Sequence, residues 1–237
     1  MLLRSRGAKV VSIVMKKVLL LAVFAAGVVF CANAQDKKVS WGVRAGMNLS
    51  NIGDKYTGES KADYEQDFKT RVGFNIGVVM DWNLSEHFTI QPGLYFTTRG
   101  GKLEENDDDY NEKWRASYLQ LPVLASYRFN LSDKVKWHIN AGPYIACGLG
   151  GKVKWEEDTD KGDYKIFKTT DTDSDEEGGG VKRFDAGLNF GTGISINKVY
   201  IGVSYDLGLA NILDDKQWGK DYKARNRNFA ITLGYNF

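Results

Sequence analysis

The sequence is short of cysteine, histidine and proline, and it lacks any long apolar run. Only Cys31 and Cys147 occur in its 237 residues. Cys31 falls in a leader expected to be removed, so the exported chain has no internal disulfide to hold it. His87 and His138 are the only histidines, one in a tight turn and one near the bottom of a strand. A barrel acyl-transfer enzyme would need a histidine beside serine and a carboxylate near its outer rim, so catalysis is not expected. No uninterrupted apolar stretch reaches 18 residues, which excludes a spanning helix. Glutamate is missing from every strand predicted below, all ten of its occurrences lying in expected loops or turns.

The first 34 residues differ from the rest. Met15-Lys16-Lys17 precedes the apolar run Val18 to Phe30, followed by Cys31 and Ala32-Asn33-Ala34. A basic segment, an apolar segment and an A-x-A site are the three parts of a secretory signal peptide. As a helix the run would be roughly 20 Å long, short of a hydrocarbon core of about 30 Å. Residues 1–34 are therefore expected to be a signal peptide, with translation starting at Met15, and 35–237 to be one domain. Bulky Phe30 argues against lipidation of Cys31. Without the leader the chain carries 27 Lys and Arg against 30 Asp and Glu, so the overall +2 becomes −3. Nothing in this charge pattern points to nucleic acid.

What is abundant is alternation. From Val39 to Leu49 every odd position is apolar, and from Val72 to Leu84 every even one. Helical spacing fits neither stretch, so both read as strands with one apolar face. The same pattern predicts about eight strands, at 39–52, 71–84, 88–99, 116–129, 135–150, 183–196, 199–212 and 226–237. Connections after the first, third, fifth and seventh are long and polar; those after the second, fourth and sixth are tight. WNLSEHF (Trp82 to Phe88) nearly repeats as FNLSDKV (Phe129 to Val135). The outline is an all-β, antiparallel up-and-down transmembrane barrel. Pro92, Pro122 and Pro143 fall within predicted strands, where bulges or different boundaries are expected.

Alternation alone does not say which face is outside, since a lipocalin-like barrel also alternates. The polar face decides it: it holds mainly Gly, Asn and Ser with a few charges, and Lys136 is the one lysine well inside a predicted strand. Small residues and sparse charges suit a narrow lumen better than a water-exposed wall. The aromatics agree. Trp41, Trp82, Phe88, Phe129, Trp137, Tyr235 and Phe237 map to the apolar face near the short-turn end, the pattern of a periplasmic aromatic girdle.

The lumen charges expected are Arg44, Arg71, Asp81, Arg99, Arg128, Asp185 and Asp206, with Lys136, His138 and Arg183 near strand ends. Opposite charges at equal height should pair, because an unpartnered buried charge is expensive. Counting from the short turns predicts Arg44 with Asp206 and Arg128 with Asp81, giving a salt-bridged plug; a conducting lumen is the alternative. Eight strands favour the plug. Asp171, Asp173 and Asp175 have the first spacings of an EF-hand loop, but Glu176 stands where glycine is required and Lys182 where the bidentate glutamate belongs. DDDY at 107–110 and GGG at 178–180 support neither a metal site nor a phosphate loop. No cofactor is expected.

Several phrases resemble the PorT-like family of Gram-negative outer-membrane β-barrel proteins, also called porin-family proteins. They are WGVRAGMNLSNI (Trp41 to Ile52), QPGLYFTTRG (Gln91 to Gly100), YLQLPVLASYRF (Tyr118 to Phe129), AGPYIACGLGGK (Ala141 to Lys152), FDAGLNFGTGI (Phe184 to Ile194) and YDLGLANI (Tyr205 to Ile212). In outline the chain is also similar to the small OmpA- and OmpX-type barrels. The resemblance implies a bacterial outer-membrane protein with a periplasmic N-terminus, set in outer-membrane lipid. It further implies a non-enzymatic scaffold or interaction role with acidic loops outside and an envelope or secretion protein as partner. A narrow solute channel is the alternative, and a monomer is expected. The last strand, FAITLGYNF, ends in an aromatic, which resembles the signal read by the barrel-assembly machinery.

Overall fold

The computed structural model describes residues 38–56, 69–104, 111–157, 160–167 and 180–237. The expected signal peptide, DDDY, and all but the last residue of DTDSDEEGGG lie outside them. The strands are β1 (Val39–Tyr56), β2 (Arg71–Asn83), β3 (Phe88–Arg99), β4 (Lys102–Glu104), β5 (Asn111–Asn130), β6 (Val135–Glu157), β7 (Asp160–Lys165), β8 (Phe184–Ile196), β9 (Val199–Gly208) and β10 (Tyr222–Asn236). One short helix, α1 (Asp215–Trp218), precedes β10. Eight of the strands close into an antiparallel ring, β1-β2-β3-β5-β6-β8-β9-β10 and back to β1. The short strands β4 and β7 flank β5 and β6 beyond the ring.

The registers fix the barrel's dimensions. From Val39 the pairing passes through Trp82, Ile90, Ala125, Ala141, Phe190, Tyr205 and Phe229, and returns to β1 at Leu49. The path comes back ten residues higher than it began. Eight strands with a shear of ten tilt by about 41° and give a backbone radius of about 8 Å. Each residue then rises about 2.5 Å along the axis. On β5 the outward residues Leu119, Leu121, Val123, Tyr127 and Phe129 are all exposed. They span ten residues, or about 25 Å, the height of an outer-membrane barrel's apolar band.

The near-repeated turns share one backbone. Leu84 and Ser85 N–H both donate to the Phe88 carbonyl, as Leu131 and Ser132 do to Val135. The third tight turn places Asn197 in the left-handed region (φ 54°), suited to a two-residue hairpin. At the prolines the structure departs from expectation. The β2–β3 pairing lapses beside Pro92 and the β5–β6 pairing beside Pro143, yet the register is the same on both sides of each gap. A strand can omit single ladder bonds without inserting a residue. Among the described residues the one register shift lies elsewhere, at Ser117/Tyr118 opposite Leu149.

Strands β5 and β6 also run further than predicted and β4 was not predicted, so Glu104, Glu112, Glu156 and Glu157 stand in strands, not loops. The shift at Leu149 reverses the parity of β6: Ala146 faces inward below it and Val153 above it. At the seam, a Cβ on Gly46 would lie 2.2 Å from the Ile231 carbonyl oxygen. Gly46→Ala is therefore expected to destabilise the barrel by about 1–3 kcal/mol. Urea unfolding in detergent, together with the temperature at which heat-dependent gel mobility is lost, measures this; an unchanged midpoint would contradict the close approach.

Candidate functional site

An interior of this radius has room for side chains and little else. Its walls bury polar groups from every strand of the ring, and most of the charged ones form two layers. In the lower layer, near the short turns, Arg128 bonds Asp81 at 2.5 Å and the Asn83 amide oxygen at 2.8 Å. Gln91 donates to the second Asp81 oxygen at 2.6 Å. His138 lies buried beside them, its Nε2 2.8 Å from Ser195 Oγ and its ring edge-on to Tyr200. This hydroxyl–imidazole pair sits in the barrel floor, both residues about 5% exposed.

The upper layer is organised by Arg99, 1% exposed. Its Nη1 bonds Asp185 at 2.9 Å, and its Nη2 bonds Asp206 at 2.7 Å and Gln120 at 2.5 Å. The guanidinium also lies over the Tyr144 ring at 5.1 Å. Two carboxylates on one cation leave an excess negative charge, which neutral donors offset. Asn226 donates to Asp185, while Asn189 and Asn228 donate to Asp206. Between the layers a cavity of about 70 Å³ is lined by Arg44, Asn48, Asn75, Asn140, Asn189 and Asp206 among others. It is polar and roomy enough for a few waters.

Arg44 does not pair with Asp206. Its Nη2 donates to Asn236 Oδ1 at 2.8 Å, and its guanidinium stacks over Tyr200 at 4.5 Å. The cause is shear. A count from the turns treats all strands as starting level, but a ten-residue stagger shared over eight strands lifts Asp206 roughly three residues above Arg44. Arg99 claims that carboxylate from above, and Arg44 turns down across Gly42 and Gly234, which have no side chains to obstruct it. Arg71 caps the rim, donating to the Arg99 carbonyl at 3.4 Å. Arg183 is exposed above Phe167, and Lys136 is exposed at the short-turn end.

The polar reading of the lumen missed an apolar cap. Ile52, Trp114, Tyr118, Val153, Ile166, Phe167, Val181, Ile212 and Leu213 form one buried cluster at the long-loop end. Phe167 meets Tyr118 edge-on at 5.7 Å and fills a notch at Gly148 that a Cβ would block. Asn211 holds the neighbouring turn, its Oδ1 accepting from the Leu213 and Ala224 N–H groups. Burying such side chains stabilises by about 1.5–3 kcal/mol each. The sequence carries no mark of it: Val153 keeps the odd spacing of the lipid-facing wall of β6, and only the extra residue at Leu149 turns it inward.

Aromatic residues of the outer wall meet one another at the short-turn end, while Phe74, Phe184, Phe190, Tyr205 and Phe229 are exposed further up the wall. Phe129 stacks on Trp137 at 4.9 Å and meets Tyr127 at 4.8 Å, and Tyr235 meets Phe237 at 5.6 Å. Trp82 and Phe88 are exposed on the same rim, Trp41 is half-buried, and Phe237 N–H donates to the Trp41 carbonyl at 2.9 Å. Cys147 is exposed on the outer wall. Among the described residues no group of His, Cys, Asp and Glu could hold a metal ion.

Removing one member of a buried ion cluster costs about 3–5 kcal/mol, because the partner charges stay behind. Arg99→Met should lose stability on that scale in urea unfolding. Adding Asp185→Asn and Asp206→Asn should restore most of it. Equal destabilisation in both variants would show that Arg99 acts through shape, not charge.

Three solved structures illustrate the likeness. Ail of Yersinia pestis is 16% identical, with 84% of this chain and 99% of that one covered and a TM-score of 0.40. Neisserial surface protein A is 12% identical over 84% and 99%, at 0.38. The N-terminal β-barrel domain of Pseudomonas aeruginosa OprF is 12% identical over 84% and 97%, at 0.31. No curated protein sequence matches the chain. The assignment rests on a family model that matches residues 33–214, most of the chain and seven of the ring's eight strands. The chain belongs to the family described as outer membrane protein beta-barrel domain, and its place is the bacterial outer membrane.

Proposed function

We propose that this protein is a closed, non-enzymatic barrel that serves as a scaffold or interaction protein in the outer membrane. The observation that carries the reading is the filled interior. Arg99, Tyr118 and Tyr144 are each 1% exposed and Val153 is 0% exposed, so the charged layer and the apolar cap occupy successive cross-sections. A solute channel would need that section open. The Ser195–His138 pair is buried in the floor, each residue about 5% exposed, which argues against hydrolysis.

In this reading residues 1–34 are removed on export, and the short turns with their aromatic girdle face the periplasm. The chain works as a monomer without a cofactor. Its long-loop end is the face offered to a partner in the envelope. The ordered phrases shared with PorT-like proteins support membership of that branch and make a secretion-associated protein the partner to seek. Purified protein in planar bilayers is expected to show no steady unitary conductance. Regular openings would replace the scaffold reading with the channel.

Phe237 joins the girdle at the seam, directly after β10, so it is also proposed as part of the signal recognised by the barrel-assembly machinery. Deleting it should reduce the heat-modifiable, membrane-inserted form in cells. Undiminished insertion would count against that role.

A further inference from the structure

Above the apolar wall, β5 and β6 continue as a small sheet flanked by β4 and β7. Its inner face carries Trp114 and Val153 and packs on the apolar cap. Its outer face continues the exposed apolar wall of the ring but is cationic. One cross-strand row reads Lys102, Lys113, Lys154 and ends in Asp163 on β7; the row beneath it reads Arg115, Lys152, Lys165. All but half-buried Lys102 are exposed.

Like charges directly opposite one another destabilise a sheet, so two cationic rows call for counter-charge. Asp163 takes Lys152 at 2.6 Å, and Glu156 lies 3.9 Å from Lys113. Among the described residues no carboxylate comes within ion-pair distance of Lys102, Arg115 or Lys154. Height names the partner. Arg115 lies four residues beyond Leu119, the last exposed apolar residue of β5, and Lys152 three beyond Leu149 on β6. That puts the lower row about 7–10 Å above the apolar wall, at the outer edge of the headgroup layer, with the Lys113–Lys154 row about 5 Å higher. Long cationic side chains reach further by bending toward that layer.

We propose that this face binds the phosphate groups of an anionic outer-leaflet glycolipid, fixing the barrel's depth and surrounding its long-loop end with selected lipid. The proposal takes from the previous section only that this end faces outward. Neighbouring lipids present phosphates side by side, as the two rows present cations, and a single soluble anion would meet only part of the face.

The test uses the intact barrel in phosphatidylcholine nanodiscs containing lipid A, either bisphosphorylated or dephosphorylated, with native mass spectrometry counting retained lipid. The phosphorylated form should be enriched about tenfold over the other, and high salt should reduce the enrichment. The variant Lys113→Gln/Arg115→Gln/Lys152→Gln/Lys154→Gln should fall to parity while keeping its heat-dependent gel mobility. Equal retention of both lipids by the unmodified protein would overturn the proposal, leaving the chain's own acidic connections at 105–110 and 168–179 as the counter-charge. Binding of dextran sulfate without lipid preference would overturn it in favour of a soluble polyanion, and so would undiminished enrichment in the variant. Nanodiscs offer both leaflets alike, so neither a reversed orientation nor a conducting lumen would change the result.

Discussion

Lipid offers no partner to a backbone N–H or C=O, and the rest of this structure follows from that constraint. Every strand that crosses must be paired on both sides, so the first and last must meet. Here β1 and β10 pair along most of their lengths, from Gly42 with Asn236 to Tyr56 with Tyr222. Closure with eight strands and a shear of ten leaves a radius of about 8 Å to the backbone. An interior that narrow cannot hydrate its side chains freely, so its residues must be small, neutral and bonded, or charged and paired. The Asn-, Ser- and Gly-rich inner face is the sequence's answer to that requirement.

The three buried arginines meet it in different ways. Arg128 has a single carboxylate, Asp81. Arg99 shares two, with amide donors offsetting the excess negative charge. Arg44 has a tyrosine face and an amide oxygen in place of a carboxylate. Such clusters specify more than they stabilise, since desolvating the charges consumes much of the attraction. Their effect is to fill the cross-section. The apolar cap then closes the long-loop end by ordinary burial, with β5 and β6 extended to carry it.

Period two made the strands, the barrel class and the facing of each residue legible, because lipid on one side and a narrow lumen on the other impose opposite chemistry on successive residues. The nearly repeated turns were legible for a similar reason: Ser85 and Ser132 occupy the same place in the same backbone. Shear was not legible. It is a property of the closed ring, and without it the heights of Arg44 and Asp206 cannot be compared. The parity change at Leu149 was likewise hidden among glycines, where alternation leaves no trace. Val153 accordingly fell beyond the predicted end of its strand, as Trp114 fell before the predicted start of its own. β4 and β7 are too short for periodicity to detect.

Membership of the family places the molecule in the outer membrane, while its closed interior directs attention to its ends and outer surface. The central claim is that both ends of the lumen are sealed by the folded chain. In a Cys147→Ser background, Asn140→Cys puts a thiol in the cavity between the charged layers. With the barrel in nanodiscs, a membrane-impermeant thiol reagent then has access to both ends. The account predicts no modification until the barrel is heat-denatured. Prompt labelling of the folded barrel would contradict it.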